Sequence, residues 1–208
     1  MSYILTPIND TTYKLTLRED TQKVIILYKT MKHIIKNIHL DSNSNTIYIS
    51  SEKIQTLKQL LEQHNNKLSH HTCVQLFNDL SQQIELLLKY GYSFYGFDIN
   101  MILLVNNRFI FCSINYLEHL NKDNNMTLLF LHDKPFFSNP EINGINTLPS
   151  IINHKCCYYS LGILLVFCLL NKHSLEVEDI ETILYPIKNT KMYWCIKRCL
   201  EEQRLLLC

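Results

Sequence analysis

The chain has 208 residues, 47% of them hydrophobic, and nearly balanced charge, with Lys+Arg 20 against Asp+Glu 19. A chain of this length builds one domain, or two small lobes sharing a core. Its formal charge of +1 gives no strong field of either sign, which argues against nucleic acid or an anionic membrane as partner.

The first residues, MSYILTPINDTTYK, have neither a basic n-region nor an apolar h-region, so no secretory signal is expected. The longest apolar run, residues 161–170, is too short to span a bilayer. Eight cysteines stand at irregular spacings without a Cys-x-x-Cys. Cys195 and Cys199 at i, i+4 and the adjacent Cys156 and Cys157 are candidate metal ligands, but buried reduced thiols explain them better. An intracellular protein without disulfides is expected. Alanine is absent and Asn, Ile, Lys and Tyr are heavily used, as in a protein from an AT-rich genome.

Residues 13–17 and 23–28 read as strands joined by a polar turn at 18–22. Residues 30–40 fit a short amphipathic helix or a strand, and Lys29, Lys32, His33 and Lys36 form a basic stripe read as a solvated face, with a partner-binding patch as the alternative. A strand at 46–50 follows a turn cluster. A helix over 54–63 ends at Asn65-Asn66, and Ser69 caps a long helix over 70–89. Gly91 is placed to end it. Two short apolar strands, 101–105 and 108–112, flank the turn Asn106-Asn107. Ahead of them a loop, residues 93–100, carries three aromatics and one acid, the kind of place where a site is built. A strand-like run covers 126–132. An all-round apolar helix starts near Cys157 and ends at Asn171. Short helices follow at 179–185 and about 191–206.

Laid without gaps on the protein-kinase pattern G-Y-x-H-R-D-L-K-P-x-N-I-L-L-V, residues 91–105 match at Gly91, Tyr92, Ile102, Leu103, Leu104 and Val105. Pro140-Glu141 resembles the end of the Ala-Pro-Glu motif that closes an activation segment. Residues 157–165 resemble the start of the central kinase helix, with Ser160, Gly162 and the apolar run matching. Cys157 stands where that helix begins with the Asp that braces the catalytic loop. Arg198-Cys199-Leu200 followed by Arg204 resembles the end of a kinase domain, which implies a pairing of Glu141 with Arg204. The chain thus resembles a divergent protein kinase, similar to degenerate kinase-like proteins of large DNA viruses.

The resemblance implies an α+β, minimal protein-kinase-like fold: a reduced antiparallel β lobe over residues 1–50 and a mostly helical lobe over 51–208. It fails at the chemical positions. Phosphoryl transfer needs a carboxylate near the attacking hydroxyl, metal ligands and a cation. The His-Arg-Asp triplet falls on Phe94, Tyr95 and Gly96, and glycine accepts no proton. The phosphate-meeting lysine falls on Asp98. The metal-binding asparagine falls on Met101, a poor ligand for magnesium, and the second metal motif begins at Ser113. None of the four glycines precedes residue 91, so a glycine-rich phosphate loop is excluded. Lys29 is the only counterpart of the phosphate-pairing sheet lysine, without a helix glutamate to meet it. No cofactor and no metal are expected. The expectation is a pseudokinase: a protein-binding or scaffolding module for a kinase or host signalling protein, touching it through the aromatic loop and the sheet face. The alternatives are a divergent active kinase using Asp98 and Lys29 with ATP and magnesium, and an unrelated α+β interaction protein.

Overall fold

The computed structural model describes residues 3–17, 20–41, 43–131, 134–172 and 180–201. The chain opens with strands β1 (Tyr3–Asn9) and β2 (Thr12–Leu17), helix α1 (Thr21–Ile34), and strands β3 (Ile38–Asp41) and β4 (Thr46–Ser50). The strands form one antiparallel sheet in the order β1-β2-β4-β3. Strand β1 was not expected from the sequence, and the strand read at 23–28 is helical. The run Val24-Ile25-Ile26 is β-branched and strand-like in isolation. However, Val24, Leu27, Met31 and Ile34 repeat at helical spacing and are buried, while Asp20 caps the helix by accepting from the Gln22 N–H. Burial of one helical face outweighs the local preference. Lys29 therefore sits on an exposed helix face, its ammonium 5.5 Å from the centroid of the Tyr90 ring, and is no sheet lysine.

A mixed α and β body follows: β5 (Ile54–Thr56), α2 (Leu57–Gln63), α3 (His70–Lys89), β6 (Tyr92–Phe94), β7 (Ile102–Val105), β8 (Arg108–Phe111), β9 (Leu117–His119), β10 (Asn125–Leu128), α4 (Pro140–Asn143), β11 (Ser150–Asn153), α5 (Cys156–Leu170), α6 (Ile180–Leu184), a 3-10 turn (Tyr185–Ile187) and α7 (Lys191–Leu200). Three small antiparallel sheets, β5-β7-β8, β6-β9 and β10-β11, are inserted among the helices. The helix expected from residue 54 begins at Leu57, because Thr56 and Gln59 form a capping box there and leave 54–56 to pair with β7. Helix α3 keeps its expected bounds, with Ser69 accepting from the Thr72 N–H.

Asparagine takes over much of the turn chemistry in this glycine-poor chain. Every non-glycine residue with positive φ among the described residues is an asparagine: 37, 45, 65, 66, 106, 107, 124 and 171. Its short side chain tolerates the left-handed region better than other L-residues do. Asn106 and Asn107, at φ 49° and 60°, make the β7–β8 turn, and Asn171 ends α5. Gly91, at φ 74°, ends α3.

Helix α3 is the axis on which the site is hung. Leu76, Phe77, Leu80, Ile84 and Leu87 are buried along it, as are two polar residues one turn apart, Asp79 and Gln83. These two complete the outer edge of β8. Asp79 accepts from the Phe109 N–H at 2.8 Å, and Gln83 accepts from the Phe111 N–H and donates to its carbonyl, both at 2.9 Å. Arg108 closes on the same Asp79 carboxylate at 2.7 Å. An edge strand that would otherwise bury unpaired amides is thus satisfied by two side chains of a helix.

Among the described residues no helix is long and apolar enough to cross a membrane. Cys73, Cys112, Cys156, Cys157, Cys168 and Cys199 are buried thiols, as expected. The described residues contain no group of three or more His, Cys, Asp and Glu side chains able to hold a metal ion.

Candidate functional site

The loop between β6 and β7 is held from three sides. The Tyr95 N–H donates to the Tyr116 carbonyl at 3.0 Å, and its hydroxyl donates to the Asn115 carbonyl at 2.9 Å. Phe97 and Phe137 exchange both backbone hydrogen bonds at 3.0 Å, which pins the stretch after residue 134 onto the loop. The Met101 N–H donates to the Asp98 carbonyl at 2.9 Å. The loop aromatics, expected to form a contact surface, are instead core: Phe94, Tyr95 and Phe97 are each at most 1% exposed. Phe94, Phe97 and Phe111 meet edge to face, with centroids 4.8–6.0 Å apart. The sequence signal for this was indirect. A loop carrying three rings within four residues needs a lid, and the lid, Pro135 and Phe137, lies forty residues away.

Gly96 occupies the position where the resemblance puts the catalytic acid. It is buried, and a Cβ there would lie 2.5 Å from Pro135 Cβ and Cγ and 2.9 Å from the Phe137 carbonyl. Glycine is required by this close approach. Asp98 is half-buried, and its Oδ1 accepts from the Asn100 N–H at 2.7 Å and from Asn100 Nδ2 at 2.9 Å. That is a self-contained turn. Met101 gives its carbonyl to the Cys112 N–H at 2.9 Å and to the Cys112 thiol at 3.0 Å. Burial pushes the Cys112 thiol far above the usual thiol range. Ser113 is buried next to it.

Two contacts tie the first sheet and its helix to this loop region. The Tyr3 hydroxyl, from β1, donates to the Asn100 carbonyl at 2.7 Å, and Lys23 of α1 pairs with Glu118 of β9 at 3.0 Å. Burial raises the Tyr3 pKa, with smaller contributions from Cys112 and Asp98. A ring from the first strand therefore rests against the backbone just before β7.

No protein-family model matches the chain, and a search of curated proteins returns no match.

The framework residues singled out in the sequence take up separate places in this body. Gly91 ends α3 and its carbonyl accepts from the Leu120 N–H at 2.8 Å. Cys157, near the start of α5, receives the Ser93 hydroxyl at 3.6 Å, immediately before the loop, and burial pushes its thiol up to about 12. The Ser160 hydroxyl returns to the Cys156 carbonyl at 2.9 Å. Gly162 lets α5 touch α7: a Cβ there would sit 2.9 Å from Leu200 Cδ2. Pro140 and Glu141 form the first turn of α4, capped by the buried Asn139. The pairing of Glu141 with Arg204 involves a residue outside the described ones.

ATP with magnesium does not fit these residues. The one carboxylate of the loop, Asp98, has an oxygen committed to its own turn, Met101 offers a thioether, Ser113 is a buried neutral hydroxyl, and Lys29 lies on the outer face of α1. No phosphoryl-transfer step follows from this arrangement.

Proposed function

We propose that the chain is a catalytically inactive, kinase-like protein that acts by binding another protein. The observation that carries this reading is the packing of Gly96 against Pro135 and Phe137 at the position of the catalytic acid. A loop closed by backbone pairing and lined by buried rings serves as a structural support. The order of elements supports the same reading: an antiparallel sheet crossed by α1, the short linker 51–53, α2, α3 ending at Gly91, the loop with its hairpin, and the buried helix α5 starting beside the loop. The resemblance drawn from the sequence implies that order.

The binding surface in this reading is not the aromatic loop. Ile4 and Ile8, on the edge strand β1, are 43% and 53% exposed. They form part of the sheet face expected to meet a partner, a protein of the signalling kind.

Titration with ATP and magnesium, followed by the unfolding temperature, tests the reading. The expected outcome is no shift. A magnesium-dependent rise would overturn it, because a ligand that binds only the folded state must stabilise it. Incorporation of labelled phosphate that is lost in Asp98→Ala would establish an active kinase instead.

A further inference from the structure

Away from the loop, a cavity of about 370 Å³ opens between the end of α2, the first turn of α3 and the β7–β8 turn. Its apolar walls are Leu60, Leu68, Leu104 and Phe109, and His64 and His71 also line it. Leu60, Leu68 and Phe109 are themselves buried, so the walls are core side chains fixed by the packing behind them. The size falls within the range of small-molecule sites, and the lining is apolar on one side and polar on the other, where Ser69, Thr72, Gln75 and Asn107 join the histidines.

The polar end has a definite sign. Helix α3 presents its N-terminal turn here, with no acidic residue in that turn to offset the positive end of the helix dipole. Neither imidazole is committed to a hydrogen bond or ion pair among the described residues. Both offer an N–H to an acceptor, and the protonated form adds a cation. The walls also exclude one class of occupant. Strand β7 is paired on both sides, by β5 and β8, and the outer edge of β8 is taken by Asp79 and Gln83. An extended peptide finds no edge of β7 or β8 to add to, so recognition at these walls rests on side chains.

We propose that this cavity binds a small amphipathic acid, its apolar tail against Leu60, Leu68, Leu104 and Phe109 and its single carboxylate between His64, His71 and the start of α3. The assignment holds whether or not the chain is kinase-like.

The test is calorimetric titration of the full chain with decanoate, and with decanol and decylamine as head-group controls. Saturable decanoate binding is expected, about tenfold or more tighter than that of decylamine. Leu104→Trp, which fills the cavity from a half-exposed position, should abolish it. His71→Trp, on the exposed first turn of α3, fills the mouth without touching the core and should do the same if Leu104→Trp fails to fold. The double variant His64→Ala with His71→Ala should weaken decanoate about tenfold and leave decanol unchanged. Absence of saturable decanoate binding overturns the proposal. So does equal affinity for decylamine, or binding that survives in a folded filling variant.

Discussion

The loop before β7 and the junction of α3 with β8 are neighbours built on opposite principles. The loop stands where a site would be expected from the sequence, and it is filled by Phe94, Tyr95 and Phe97 around a buried glycine. The junction reads as an ordinary helix against a hairpin, and it holds the buried charged and amide side chains, Asp79 and Gln83. The polar groups that are costly to bury here serve architecture, and the region with the look of chemistry is apolar packing. A buried carboxylate with four donors around it, the Phe109 N–H, Gln75 Nε2, and Arg108 Nε and Nη2, is a joint rather than a reagent.

The contrast can be broken most forcefully at the junction. Asp79→Ala leaves the buried Phe109 N–H without an acceptor and frees Arg108, and should cost about 3–5 kcal/mol in denaturant unfolding. A loss below about 1 kcal/mol would show that the edge of β8 is satisfied in another way. In the loop, Gly96→Ala drives a methyl into Pro135 and should cost about 1–3 kcal/mol by overpacking. A neutral result would mean that the lid over the loop lifts readily, as an accessible site requires.

Tyr3→Phe removes one hydrogen bond between the first strand and the loop and should cost about 1 kcal/mol at neutral pH. The same variant has a pH signature. Burial raises the folded-state pKa of Tyr3, so its contribution is fully present below the unfolded value of about 10 and is lost as pH climbs past it. The variant should therefore lose less stability between neutral and alkaline pH than the parent does. Equal alkaline slopes would place the Tyr3 ring in water. The smallest effect is expected for Asp98→Ala, under about 1 kcal/mol, since the carboxylate serves a partly exposed local turn. A gain in stability would be the informative outcome, because residues kept for chemistry are often held at a cost in stability.

Local signals were readable along much of the chain. Ser69 and Gly91 bracket α3 by capping chemistry, Asn106-Asn107 sets a two-residue turn, and the all-round apolar run after Cys156 makes a buried helix. These depend on residues within a few positions of one another. What escaped depends on distance or on competition. Helix α1 was disguised by β-branched residues whose helical register matters only once α3 packs against it. Strand β5 pairs with a partner fifty residues on, Ile54 with Val105. The closure of the loop comes from Pro135 and Phe137, which nothing near Gly96 announces. Asp79 and Gln83 look like the polar stripe of an amphipathic helix until β8 is laid beside them.

The Asp79 carboxylate and the Gln83 amide together stand in for a neighbouring strand along Phe109 to Phe111, and this bears on misfolding as well as on fold. If α3 pulls away, the hairpin is left with a bare edge whose sequence after Arg108, Phe-Ile-Phe, is apolar, strongly strand-forming and free of proline. The nearest replacement for the lost amide is then the same edge on another molecule. Partial unfolding at this helix would nucleate aggregation well before the rest of the chain loses its shape.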